Sequence, residues 1–307
     1  ITDSNNKTLF STGNDEDLIY PRSSIKIFQA IPFIESNAKN YFNLNPRKIA
    51  LACSSHRGES FHIKELNDWI KKLDLSPKVL QCGIHNPLNN KASEYIFRTN
   101  GIVNQLHNNC AGKHLAMISS CIMNNYNISK YLEFDHPHQI NIRKIFENFA
   151  TINIKKYNFG VDGCSAPQYS FKIKDINNML SNLNKSYSNK FEYSSAVRTL
   201  IDSIIKNPTY IGGTDSLDSK IMMSSNKKLF CKGGAEGVLI FTNLSNGISG
   251  IIKVDDGNER AIPFVVLNLF KKFKIMKNKE LKMIEKVYSS KIFNHAKIEV
   301  GTIKIKF

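Results

Sequence analysis

A chain of 307 residues, 41% hydrophobic and 22% charged, is long enough to bury a substantial core and too apolar to be mostly disordered. No stretch approaches about 18 uninterrupted apolar residues, so no membrane-spanning helix is expected. The formal charge of +16 invites a nucleic-acid reading, but the lysines are scattered through the chain with no arginine block or aromatic stripe, and a solvated surface without a nucleic-acid partner is expected instead.

In chain order, residues 24–36 read as a helix with Ile25, Ile27, Phe28, Ile31 and Ile34 apolar, interrupted at Pro32. Lys48 to Cys53 is a short apolar run of strand type, ending in the polar turn Ser54-Ser55-His56-Arg57-Gly58. Helical spacing follows over 62–73, where Ile63, Leu66, Trp69, Ile70 and Leu73 recur, and after a loop-rich stretch over 110–124. Further helices are expected near 138–150, 174–183 and 193–206. The last third changes character. Gly237 to Thr242 and Ile248 to Val254 are β-branched runs joined by a hairpin signal at 243–247. A helix from Arg260 to Phe273, an exposed Lys-rich segment at 274–286 and a terminal strand from Lys297 to Phe307 complete the reading. The whole predicts an α+β fold over one domain, 1–307, with a mixed, largely antiparallel sheet flanked by helices. Because residue 1 is Ile and no signal-peptide pattern follows, the start is expected to be incomplete.

Four stretches carry residues capable of chemistry. Ser23 and Lys26 are one helical turn apart, so a neutral lysine amine can take the serine proton. The spacing recurs at Ser4, Ser36, Ser203, Ser224 and Ser225; what distinguishes Ser23 is its place after Pro21-Arg22 at a helix start, where backbone N–H groups can polarise a carbonyl. An ordinary N-cap is the alternative. Ser55, followed by His56, sits where loop residues commonly face a cleft, or is simply a turn serine. Lys232 precedes Gly233-Gly234 ahead of a strand, the late position at which serine-lysine acyl enzymes carry a Lys-Thr-Gly, although the Thr is lacking. Cys110 lies at a helix start with Lys113 one turn on, and Cys164 and Asp162 share a glycine-bounded turn. Two thiolates with nearby N or O donors can hold zinc, but the spacing is not that of a zinc finger, and on spacing alone buried structural cysteines are the favoured reading. The six cysteines include no C-x-x-C pair, so free thiols in a reducing, cytoplasmic setting are expected.

Taken together and in order, PRSSIK followed by QAIP, ACSSHRGE with His62 after it, NNCAGKH, GVDGCSAP and KGGAEG resemble the L-asparaginase II family of the rhizobial thermolabile type. The resemblance runs through most of residues 8–270. It implies a fold similar to serine β-lactamases and glutaminases and hydrolysis of L-asparagine to L-aspartate and ammonia, with a glutaminase or another serine acyl amidohydrolase as the alternative. It implies two Ser-Lys units, Ser23 with Lys26 and Ser55 with Lys232. It further implies zinc held by Cys110, Lys113 and Cys164, substrate or supporting roles for Arg22, His56 and Asp162, and a homodimer. The chain departs from the family pattern at Ser216, where an Arg is expected.

Overall fold

A computed structural model describes residues 1–307. After a two-residue strand β1 (Leu18–Ile19), a 3-10 turn at Arg22–Ile25 leads into short helices α1 (Lys26–Gln29) and α2 (Ile31–Glu35), with Pro32 in the first turn of α2, where its missing N–H costs nothing. Helix α3 (Ala38–Tyr41) follows.

The expected strand at Lys48–Cys53 is instead helix α4 (Pro46–Ala52). Asn45 caps it by accepting from the Lys48 N–H, and Pro46 occupies the first helical position. Residues 48–52 are all buried, so no polar face reveals a helical period. The buried Lys48 amine is neutralised by Glu65 at 2.5 Å and Asp68 at 2.8 Å, both on helix α5 (Ser60–Lys72).

Helix α6 (Asn90–Arg98) lies in the stretch expected to be loop-rich. Helix α7 (Ala111–Met123) is buried from Ala111 through Cys121, the pattern of a central helix with core on every side. It packs against α2, α3, α4, α5 and the next helix, α8 (Pro137–Ala150). Its approach to α4 is set at Gly112, where an added Cβ would lie 2.1 Å from the Leu51 carbonyl oxygen.

Two small antiparallel ribbons follow, β2 (Phe159–Val161) on β3 (Pro167–Tyr169), and β4 (Phe171–Lys172) on β1. Helices α9 (Ile173–Tyr187), α10 (Ser194–Lys206), α11 (Thr209–Gly212) and α12 (Leu217–Ser224) lead to the principal sheet. This is an antiparallel meander of β5 (Leu229–Gly234), β6 (Val238–Asn243) and β7 (Ser249–Lys253), with Lys232 opposite Ile240. Every residue of β6 is buried.

Helix α13 (Ile262–Lys272) matches expectation, but the Lys-rich 274–286 segment is not simply exposed. It forms α14 (Asn278–Glu285), which buries Leu281 and Ile284 beside Ile275 and Met276 and leaves its lysines in water. The terminal strand is shorter than expected. Only β9 (Glu299–Thr302) pairs, with β8 (Lys291–Phe293). The α+β class is as the sequence implied: small antiparallel sheets among helices around one contiguous core. No helix is long and apolar enough to cross a membrane.

Replacing Gly112 by Ala forces α7 away from α4, an overpacking cost of about 1–3 kcal/mol. Thermal denaturation followed by circular dichroism should show a lower Tm for this variant; an unchanged Tm would mean that the two helices tolerate a wider separation.

Candidate active site

Ser23 begins its turn behind a strained residue. Arg22 has φ +53°, a left-handed conformation unfavourable for a long side chain, and the Pro21 carbonyl accepts both the N–H and the hydroxyl of Ser24. Ser23 is half-buried on this 3-10 turn, and Lys26 is fully buried. Side chains three apart eclipse in such a turn, so the two stay on one side. The Lys26 amine nevertheless hydrogen-bonds elsewhere, to the Ser54 carbonyl at 2.5 Å, the Ser55 hydroxyl at 3.0 Å and Cys110 Sγ at 3.2 Å. The Ser23 hydroxyl is not among its partners. Burial holds Lys26 below the ordinary lysine range, and Lys113 and Lys232 push the same way against the opposing influence of Cys110.

Ser55 follows the C-terminus of α4, its N–H donating to the Ile211 carbonyl at 2.7 Å. Its hydroxyl lies between two lysines, with Lys26 Nζ at 3.0 Å and Lys232 Nζ at 3.3 Å. Lys232 is buried on β5 and also donates to its neighbour's carbonyl at Gly233, 2.9 Å away. Asp218, on the first turn of α12, stands 3.4 Å from the same amine and accepts the Gly233 N–H at 3.1 Å. Burial alone would raise Asp218, but Lys232 and these hydrogen bonds outweigh it and hold the carboxylate below its ordinary range. Close backbone packing brings β5 to the Ser23 turn: a Cβ on Gly234 would lie 2.6 Å from the Pro21 carbonyl oxygen.

The third group continues from Lys26 through Cys110. Sulfur atoms of Cys110 and Cys164 and a carboxylate oxygen of Asp162 all lie within 4.8 Å of one another. Lys113 Nζ donates to Cys164 Sγ at 3.0 Å and stands 3.9 Å from Asp162. The adjacent Cys110 thiol and Lys113 hold Cys164 well below the ordinary thiol range, while Cys164 and burial push Cys110 far up. Burial opposes the charge on Lys113, but the sulfurs and Asp162 outweigh it and raise its pKa. Two sulfurs, an amine and a carboxylate are donor kinds that a borderline-soft divalent metal takes.

Arg22 ties this group to the others. Its Nε donates to Asp162 Oδ1 at 2.9 Å, and its Nη1 pairs with Glu236 in the turn between β5 and β6. Thus Lys26, Ser55, Lys232, Cys110, Lys113, Cys164, Asp162 and Arg22 form one linked cluster, with Ser23 on the same turn as Arg22. His56 does not join it. Its ring is buried and neutral, Nδ1 accepts the Gly58 N–H at 3.2 Å, and it stacks on His62 with centroids 5.3 Å apart. Sequence reasoning missed Asp218 and Glu236. A carboxylate two residues after the cap Ser216 gives only a helix-start signal, and Glu236 lay unread within KGGAEG. Ser216, where the family resemblance expects Arg, caps α12 by accepting from the Ser219 N–H.

A serine hydroxyl between two buried lysines is an arrangement in which a hydroxyl can exchange a proton with an amine. Residues 1–305 match the family described as L-asparaginase II, and the chain belongs to that family. It is accordingly an amidohydrolase. No curated protein matches it.

Arg22→Lys keeps the charge but loses the fork that reaches Asp162 and Glu236 together. Amide hydrolysis should fall by roughly 10–100-fold, since small displacements of a positioned group have large effects on rate. Wild-type turnover in this variant would show that the fork does not hold the site in register.

Proposed function

We propose that the protein is an L-asparaginase, hydrolysing L-asparagine to L-aspartate and ammonia with Ser23 as nucleophile. The observation that carries this reading is the Ser55 hydroxyl suspended between Lys26 and Lys232, with half-buried Ser23 on the turn that leads directly into Lys26. Ser23 Oγ attacks the side-chain amide carbon, and its proton passes to the neutral Lys26 amine. Backbone N–H groups at the start of the turn hold the oxyanion. As the tetrahedral adduct collapses, the C–N bond breaks, and the proton reaches the departing ammonia through Lys26 and Ser55. Water then cleaves the aspartyl ester, returning the proton to Ser23 and releasing aspartate.

Lys26 is suited to the base role because burial and neighbouring cations disfavour its charge. His56 is read as support for the 54–58 loop that carries Ser55, and Arg22 and Asp162 as the frame of the substrate pocket.

Cys110, Lys113 and Cys164 are proposed to hold zinc, with Asp162 beside it. Their donor chemistry fits, although Lys113 must lose a proton that the metal-free cluster holds firmly. Zinc bound there supplies a fixed positive charge that orients substrate and neighbouring side chains. A homodimer is proposed on the family resemblance. All six cysteines are free and buried, which fits a reducing cytoplasmic setting.

One observation favours a second reading of the nucleophile. The lysine with the lowered pKa touches Ser55, not Ser23. Ammonia release from asparagine and from glutamine, measured on Ser23→Ala and Ser55→Ala, separates these readings. Ser23→Ala should lose at least about a thousand-fold in kcat, and peptide mapping of quenched wild-type enzyme should find the acyl group on Ser23. An acyl group on Ser55, with activity persisting in Ser23→Ala, would transfer the role; glutamine turned over as fast as asparagine would make the protein a glutaminase.

For the metal, Cys110→Ser should abolish co-purifying zinc and weaken asparagine binding. Unchanged binding in the zinc-free variant would remove the proposed substrate role of the metal.

A further inference from the structure

Asp218 is built into the site more firmly than an incidental neighbour requires. Only 6% of its surface is exposed, and it occupies the first turn of α12, where the helix dipole favours a negative charge. Oδ1 accepts the Ser219 N–H at 2.9 Å; Oδ2 accepts the Gly233 N–H at 3.1 Å and faces Lys232 Nζ at 3.4 Å. Two backbone donors thus fix the carboxylate, and the fixed carboxylate in turn faces a buried amine whose other side-chain contact is the Ser55 hydroxyl. The same peptide segment supplies both Lys232 and the Gly233 N–H, so Asp218 grips the strand and its side chain together.

We infer that Asp218 is a positioning residue that holds Lys232 aimed at Ser55. Both amines donate to the Ser55 oxygen, Lys26 Nζ at 3.0 Å and Lys232 Nζ at 3.3 Å, but the two are supported differently. Lys232 is a fixed donor with its own carboxylate, and Lys26 has no carboxylate partner. This inference deepens the Ser23 reading and rests on it for its effect on rate, whereas the Asp218–Lys232 pairing stands independently of it.

The test is a double-mutant cycle of Asp218→Asn and Lys232→Met, with Asp218→Glu alongside, read in kcat, KM and Tm. Asp218→Asn should lower kcat by about 10–100-fold with KM changed by no more than about two-fold. The same change in a Lys232→Met background should cost little more, because residues acting as one unit are not additive. Asp218→Glu, which keeps the charge, should retain more activity than Asp218→Asn. The Tm of the double variant should exceed that of Asp218→Asn alone, since removing both charges leaves no unpaired buried ammonium. Equal losses of kcat in both backgrounds, an effect on KM alone, or no coupling in Tm would overturn the inference. Where Lys232→Met falls below detectable turnover, the Tm cycle decides. Ser23→Ala assayed beside it keeps the two questions apart: activity there would sink the nucleophile assignment while leaving the Asp218–Lys232 coupling to be judged on the cycle.

Discussion

Lys26 has exchanged water for protein, and much of the surrounding architecture follows from that exchange. Removing an ammonium from water costs several kcal/mol even after relaxation unless fixed partners replace the lost hydration. The partners are the Ser54 carbonyl, the Ser55 hydroxyl and Cys110 sulfur, which come from the end of α4 and the start of α7. Those two segments meet only because α7 lies on α4 with no side chain at Gly112 between them. None of the three partners is a carboxylate. The other cations of the cluster each have a carboxylate: Arg22 has Asp162 and Glu236, Lys113 has Asp162, and Lys232 has Asp218. Lys26 is thus the amine with least reason to remain charged, and this asymmetry, more than its distance from any serine, distinguishes it as a base.

The +16 charge has little part in this. The cations of the site lie inside the fold and, Lys26 apart, are matched locally, while the surplus belongs to exposed lysines such as those of α14. Net charge describes the field around a protein and its solubility; the chemistry of a site depends on which charges have lost their water.

Helices with one wet face were legible in the sequence, as 62–73 and 193–206 show, because burial on one side leaves a period to read. Helix α4 was not, since residues 48–52 are all buried and a short apolar run looks alike as strand or helix. The missed signal was Asn45-Pro46, a cap followed by a first-turn proline. In the site, Ser55 meets Lys232, and Cys110, Lys113 and Cys164 lie together, the groupings the family resemblance implies, but spacing could not show that Lys26 turns to Ser55. That preference comes from tertiary contacts with segments 28 and 84 residues away. Asp218 was hidden for the same reason: nothing local distinguishes an acid that neutralises its own helix start from one that holds a lysine 14 residues on.

Backbone strain gives the cluster a further unity. Arg22, Ser165 and Glu236 are non-glycine residues with φ of +53°, +67° and +64°, and each adjoins a different part of the site. Arg22 precedes Ser23, Ser165 follows Cys164, and Glu236 lies in the turn after the Lys232 strand. Such conformations cost about 1–3 kcal/mol each and persist only where surrounding contacts fix them. The Arg22 guanidinium supplies part of that constraint, because it binds Asp162 in the Ser165 turn and Glu236 itself. A relaxed Arg22 would swing its fork away from both partners, and relaxation of either partner turn would release Arg22. The three turns are therefore mutually dependent. Their rigidity precedes substrate, and positioning established during folding need not be supplied again at the moment of reaction.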